Sequence, residues 1–569
     1  MAEANASRLR ARLPGALFSA AVLVLAATDL HAESDEQWRA YGGDPANTRY
    51  SALGQINTGN VAALKAAWSL QLGVLKGQES TPLVIDETMY VTTSMGPRYV
   101  YALDAGTGAV RWRYAPEIPE DVASTVCCGL VNRGAAYANG RLFVARLDGV
   151  LVALDAGSGS ELWRTTVVDY RQGAAMTSPP LLVKNLVITG YAGGEYGMRG
   201  AIIAYDQSSG RRVWRTDTVP APGEPGSETW SGDSGAHGGG DAWYVGAYDP
   251  ALDLIYYGTG NASPWNGGLR GPDSGDYGRY TNLYTAGTLA LQPDSGRIAW
   301  FYQATPHDVW DYDGANEAVL ADLTVAGRGL PALLKADRNG FFYVLDRRHG
   351  ALVSAAPFVH VTWARGIDRA GRPIELQEKR PRLDVWARDV CPGLFGAKNW
   401  HPMSYSPQTG YVYIPSFNLC MDIVERRLPS WQSGRLYLGA EYDLAKLGPD
   451  QGMGAMQAWD PVRQRAAWHI AESLPYVGGA LATAGGLVFY GNMQGELKAV
   501  DARTGALLWR FATGSGISQG PITYAVDGKQ YIAVVCGRLD LPRAFLGVIG
   551  KRTLAALPEG GAVFAFALP

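Results

Sequence analysis

Stretches of this 569-residue chain repeat one twelve-residue unit. YALDAGTGAVRW (101–112), VALDAGSGSELW (152–163), IAYDQSSGRRVW (203–214), LALQPDSGRIAW (289–300) and KAVDARTGALLW (498–509) each join an apolar run to a polar turn, and the turn to a closing Trp. QAWDPVRQRAAW (457–468) is a weaker copy, and YVLDRRHGALVS (343–354) lacks the final Trp. Trp112, Trp163 and Trp214 follow one another at 51-residue intervals. The unit reads as strand, Asp-x-x-(Ser/Thr)-Gly turn, strand. The Asp and Ser/Thr side chains bond the turn backbone and Gly takes the positive φ.

A single four-stranded sheet cannot bury both its faces, so such units must stack. Stacking them radially makes a propeller, with each Trp packed between neighbouring sheets. Seven turns and an irregular opening strand near Trp68 predict an all-β, eight-bladed β-propeller. A two-domain array of β-sandwiches would need linkers that the sequence lacks. The 71 Gly, 17 Trp and 30 Tyr suit short strands, tight turns and flat aromatics between sheets. Trp214 and Trp300 are 86 residues apart, and the extra chain, rich in Gly, Asp, Asn and Trp, is expected to be a functional insertion.

The net charge is −3 with 18% charged residues, and no basic stretch argues for nucleic acid. Residues 1–32 read as a cleaved secretory signal: Arg8, Arg10 and Arg12 precede the apolar run 16–27, and Ala32 offers a small residue before the cut. The alternative is a buried N-terminal helix. Under the signal reading, residues 33–569 form one catalytic domain in an oxidising, periplasmic compartment where disulfides persist. No later segment reaches 18 uninterrupted apolar residues, so no membrane span is expected.

Four oxygen-bearing side chains lie in stretches that break the repeat: Glu195 in YAGGEYGMRG, Asn261 in YYGTGNASPWN, and Asp311 with Asp313 in TPHDVWDYDGAN. Carboxylates with an amide carbonyl form a hard-oxygen set suited to Ca²⁺, and the seven His are too scattered to favour zinc or iron. Each acid alone also reads as a turn cap. In an Asp-Tyr-Asp strand, Asp311 and Asp313 would share a face, where they repel unless a cation lies between them. A third acidic ligand suits a trivalent ion better than Ca²⁺. The chain has five Cys, and no C-x-x-C-H motif, so no covalent haem is expected. Cys127 and Cys128 are adjacent, with Cα atoms about 3.8 Å apart across a trans peptide. Unstrained bridges usually need about 4.4 Å or more, so this pair alone reads as two buried thiols.

From WRAYGGDPANTRYS (38–51) to CGRLD (536–540), the chain resembles the quinoprotein methanol and ethanol dehydrogenases, which carry tryptophan-docking repeats and use pyrroloquinoline quinone (PQQ). The resemblance implies oxidation of a primary alcohol to the aldehyde, with electrons leaving one at a time to a soluble c-type cytochrome. Glu195, Asn261 and Asp311 match the family's metal ligands, and Asp313 resembles the mark of its lanthanide-dependent branch. Asp311 would be the general base, and Arg338, in KADRNGFFYVLDR, would hydrogen-bond the quinone oxygens. Glu79 in GQESTPL, Arg133 in CCGLVNRG, Thr177 in MTSPP and Asn399 in GAKNWHPMSYS match further cofactor contacts, as do Gly193 and Gly194. The resemblance also implies a Cys127–Cys128 disulfide on one face of PQQ with Trp243 on the other, and a Cys391–Cys420 bridge that leaves Cys536 free. Trp265 and Trp310 are candidates for the substrate-pocket wall or for plain core packing.

The chain departs from the family at Ala192, where Ser is usual, and at Ala242, where Thr is usual. Val477 and Arg538 stand where the family has tryptophans near the quinone and its funnel, which implies a widened or repolarised pocket. Three alternatives remain at this stage: a calcium enzyme, a polyol or sugar substrate, and a non-catalytic propeller scaffold. A homodimer is also compatible with the sequence.

Overall fold

The computed structural model describes residues 36–75, 78–93, 99–271, 279–539, 555 and 557–569. The segment read as a signal, 1–32, lies outside the described residues.

Four of the repeated turns are closed by an Asp and a Ser or Thr of their own. Asp104 Oδ1 accepts from Thr107 N at 2.9 Å and Thr107 Oγ1 at 2.8 Å, and Asp155, Asp206 and Asp501 do the same for their Ser or Thr partners. Each turn therefore joins two antiparallel strands. Around the first turn, Leu83–Ile85, Thr88–Thr92, Val100–Asp104 and Val110–Tyr114 pair in chain order as one four-stranded sheet. Meanders of the same kind begin at Ala136, Leu181, Ala247, Val319 and Ser404. Another, Leu481–Thr483 to Leu507–Ala512, gains Tyr50–Ser51 as a fifth, parallel strand. In the last, Lys65–Gln71 pairs with Gly561–Ala567, so the two ends of the chain share one sheet. Two small sheets, Ala364–Ile367 with Pro373–Glu375 and Ala387–Val390 with Leu419–Glu425 and Ala440–Leu447, bring the total among the described residues to ten.

The closing tryptophans link consecutive sheets. Trp68, Trp112, Trp163, Trp214 and Trp300 donate their indole N–H to Ala105 O, Ala156 O, Gln207 O, Pro293 O and Arg347 O of the following turn, at 2.7–3.2 Å. Trp468 reaches Ala502 O at 3.1 Å, and Trp509 reaches Leu64 O at 3.1 Å. All of these rings except Trp509 also lie against the turn glycine. At Gly210, with φ of 67°, an added Cβ would stand 2.5 Å from Trp163 Cε3. The repeat that lacks a Trp meets the one repeat turn that lacks this Gly: Ser354 Oγ accepts from Gln464 Nε2 at 2.9 Å.

The N-terminal segment ties sheets together beneath the site. Buried Arg49 donates to Tyr41 O, Ala480 O and Pro521 O at 2.7–2.9 Å, so its charge is spread over carbonyl dipoles. The chain between Trp214 and Trp300 carries Asp241, Trp243, Asn261 and Trp265. A second insertion, residues 418–453 between Tyr411–Phe417 and Gly454–Asp460, carries two strands and the segment that covers the cavity described next.

Candidate active site

A cavity of about 640 Å³ opens among the loops at the strand ends. Its lining combines polar Glu195, Asp241, Asp311, Asp313 and Arg338 with Cys127, Cys128, Trp243, Trp265 and several leucines.

The acidic side is built by the loop 307–313. Asp308 curls it, accepting from Trp310 N at 3.1 Å and Tyr312 N at 2.9 Å. Asp311 takes a left-handed φ of 65°. The Asp-Tyr-Asp segment is therefore a capped loop rather than the expected strand, because the Asp308 carboxylate competes with strand pairing for the backbone donors. Both carboxylates still reach Arg338: its Nη1 lies 2.7 Å from Asp313 Oδ2, 3.5 Å from Asp311 Oδ2 and 3.0 Å from Asp311 O. Trp243 Nε1 donates to Asp313 Oδ2 at 2.9 Å, and Asn261 N donates to Asp313 Oδ1 at 2.5 Å. Asp311 Oδ1, Asn261 Oδ1 and Arg338 Nε are buried with no hydrogen-bond partner among the described residues.

Burial raises the Asp311 carboxyl well above its ordinary range, Arg338 opposes the shift, and Asp313 and Glu195 add to it. Glu195 is also raised, first by burial and then by the charge of Asp313. Among the described residues no three His, Cys, Asp or Glu side chains stand as a ready-made metal cage. Bare carboxylates repel one another, so convergence on a cation requires side-chain adjustment. The donor set fits one nonetheless: buried anionic and amide oxygens with unused lone pairs are what a hard cation takes.

Arg133, also in the lining, pairs through Nε with Glu79 Oε2 at 2.9 Å, and its Nη1 donates to Thr177 Oγ1 at 2.9 Å. The Arg133 guanidinium lies 5.4 Å from the centre of the Trp243 ring and 5.1 Å from that of Trp400. Cys127 and Cys128 form a disulfide at the cavity wall, and Cys391 is bridged to Cys420, with Cys536 free and buried. Asn399 also lines the cavity, held by Phe395 O and Trp400 N. An arginine clamp beside a flat indole and a disulfide can hold a planar, polyanionic molecule.

Residues 38–361 and 445–532 match the family described as PQQ: Glucose/ethanol/alcohol dehydrogenase, beta-propeller domain. The chain belongs to the PQQ-dependent alcohol dehydrogenases. It is 42% identical to a lanthanide-dependent methanol dehydrogenase of Methylacidiphilum fumariolicum, over 94% of this chain and 92% of the relative. A quinohemoprotein alcohol dehydrogenase of Comamonas testosteroni is 41% identical, over 93% of this chain and 76% of the relative. The solved structure of a europium-containing methanol dehydrogenase superposes with a TM-score of 0.88 at 41% identity, covering 95% of this chain and all of that one. This PQQ-dependent dehydrogenase is thus an all-β propeller oxidoreductase acting on alcohols.

Some residues predicted for the dehydrogenase site do not line the cavity. Trp310 is fully buried against Tyr312 and Trp363 and donates to Lys379 O, so it is core and does not line the cavity. Gly193 and Gly194 lie behind the wall, where Gly193 N donates to Asp241 Oδ2 at 3.0 Å. Asn261 also sits below the lining and is wholly buried. Val477 and Arg538 do not line the cavity either: Val477 is buried, and the Arg538 guanidinium is drawn off by Glu559 and Leu557 O.

Other lining residues of the dehydrogenase escaped the sequence reading. Asp241 is one, although an acid in a Gly-rich stretch two residues before Trp243 was a usable signal. The cover formed by Leu436, Leu438 and Tyr442 is another. Tyr437 N donates to Glu195 O at 2.7 Å, Trp265 N donates to Leu438 O at 2.7 Å, and Trp431 Nε1 donates to Tyr196 O at 2.8 Å. Nothing in the repeat pattern signals that cover.

Proposed function

We propose that this dehydrogenase oxidises a primary alcohol to the aldehyde with PQQ and one lanthanide ion, and passes electrons singly to a soluble c-type cytochrome in the periplasm. In the same reading, the eight sheets of four or more strands are the blades of one propeller spanning 33–569 after loss of 1–32. The observation that carries the chemistry is the set of unpartnered buried groups, Asp311 Oδ1, Asn261 Oδ1 and Arg338 Nε, beside Trp243.

Glu195, Asn261, Asp311 and Asp313 would hold the cation. Glu79, Arg133, Thr177, Asn399 and Arg338 would hold the polar edge of PQQ between Trp243 and the Cys127–Cys128 bridge. When bound, PQQ with its cation supplies the oxidant, a quinone that takes up the hydride of the carbinol carbon. Asp311 accepts the hydroxyl proton as general base, and burial favours the protonated form it then takes. Arg338 fixes Asp311 through its backbone carbonyl and carboxylate, so the base is oriented before substrate enters. Trp265, Leu436 and Tyr442 give the alkyl chain an apolar wall and exclude water.

The additional carboxylate of Asp313 and the similarity to lanthanide-dependent methanol dehydrogenases support the trivalent ion. A second reading, Ca²⁺, is favoured by one observation: both Asp313 oxygens are already engaged by Asn261 N, Trp243 and Arg338. Metal-depleted protein, given PQQ with La³⁺ or Ca²⁺ and assayed by dye reduction over a panel of alcohols, separates these. Activity with La³⁺ is expected; activity with Ca²⁺ alone would replace the lanthanide, and inactivity with both would leave a scaffold. The two disulfides and the 1–32 segment support export, which cell fractionation tests.

A further inference from the structure

Asp241 is buried, 2% exposed, at the cavity wall with Glu195, Asp311 and Asp313. Its backbone carbonyl accepts from Gly260 N at 2.9 Å, and its Oδ2 accepts from Gly193 N at 3.0 Å. Those bonds tie the Asp241 backbone and side chain to the two segments that carry Asn261 and Glu195. Its Oδ1 has no hydrogen-bond partner, and no Lys, Arg or His forms an ion pair with Asp241 among the described residues.

The surroundings of Oδ1 say where it points. A Cβ added to Gly194 would lie 2.6 Å from it, and one added to Gly260 would also lie 2.6 Å from it. Gly194 immediately precedes Glu195 and Gly260 immediately precedes Asn261. The same Gly260 Cβ would be 3.0 Å from Asp313 Oδ1. Asp241 Oδ1 thus projects between the backbones of two proposed ligands and toward a third. A buried carboxylate with one unpaired oxygen in such a place needs a positive partner. Arg338, which also lines the cavity, is committed to Asp311 and Asp313.

We propose that Asp241 Oδ1 is a further anionic ligand of the active-site cation, so that four carboxylates and the Asn261 amide oxygen face it. The inference rests on the proposed cation site. It implies a stronger preference for a trivalent over a divalent ion than the four-residue set alone would confer, because each added carboxylate attracts a 3+ ion more than a 2+ ion at equal distance.

The test uses the full chain with PQQ, loaded with Eu³⁺, and counts metal-bound waters from luminescence lifetimes in H₂O and D₂O. Asp241→Asn keeps an oxygen for Gly193 N but loses the charge, and Asp241→Ser is too short to reach. Asp241→Ser is expected to gain metal-bound water, and both variants to bind La³⁺ at least about tenfold more weakly, with a smaller change for Ca²⁺. A general folding defect would lower the metal-free melting temperature but leave the rise on adding La³⁺ intact; the inference requires that rise to shrink. Unchanged water count and La³⁺ affinity in both variants would overturn it while leaving the cation site standing. Failure of the unmodified protein to bind Eu³⁺ would instead remove the cation reading on which it rests.

Discussion

The Trp243 indole N–H donates to Asp313 Oδ2 at 2.9 Å. The residue proposed to cover one face of PQQ is thereby fixed by an acid proposed to hold the cation. Arg338 Nη1 shares the same oxygen at 2.7 Å, so ring, acid and cation form one unit. Hydrogen bonds to charged groups inside a protein contribute about 1.5–3 kcal/mol each.

Trp243→Phe keeps a flat ring and removes only the N–H. Turnover is expected to fall roughly tenfold, in line with about 1.4 kcal/mol of lost positioning. The melting temperature of the metal-free protein should move by only a few degrees. Steady-state kinetics with a fixed alcohol, beside a thermal melt, checks both.

The Cys127–Cys128 bridge lines the cavity, whereas Cys391–Cys420 staples the second insertion. A Cys127→Ala/Cys128→Ala double variant should therefore lose turnover with little loss of fold. Dye reduction together with near-ultraviolet circular dichroism reads this out. Full activity in a folded double variant would make the pair merely structural.

Stability should carry a distinct pH signature at Asp337. Burial raises its carboxyl from the ordinary 3.8 to about 6, against the opposing charge of Lys335. Between those values the folded protein holds a proton that the unfolded chain has released. The contribution of Asp337 is therefore most favourable below pH ~4 and is lost as pH rises to ~6. Asp337→Asn removes it, so the unmodified protein should lose up to roughly 3 kcal/mol relative to the variant over that window. Denaturant unfolding of both proteins at a series of pH values checks the sign.

The turns make a contrasting pair. Gly210→Ala places a Cβ at 2.5 Å from the Trp163 ring, at a φ of 67° that L-residues disfavour. A cost of roughly 2 kcal/mol or more is expected. Gln464→Ala, at the turn that faces Ser354 rather than an indole, should cost under about 1 kcal/mol. Chemical denaturation of the two variants in parallel checks the ranking.

The sequence by itself determined the repeating unit, its turns and their stacking, because those features are local. An Asp that caps its own turn, a Gly that admits an indole and a Trp one repeat away lie within a few dozen residues, and a fixed period exposes them. It also marked Glu195, Asn261, Asp311 and Asp313, since oxygen-bearing residues there interrupt the repeat, while Arg338 and the two disulfide pairs came from the family resemblance. Tertiary structure alone decided which side chains face the cavity. Asp308 caps the loop that turns Asp311 inward and leaves Trp310 in the core. Arg538 is withdrawn from the pocket by Glu559, and Asp241 enters it because Gly194 and Gly260 leave room at its Oδ1. The cover over the site depends on Tyr437 reaching Glu195, a contact between distant parts of the chain. Such contacts follow from how the closed ring of sheets brings its loops together, and no period in the sequence encodes them.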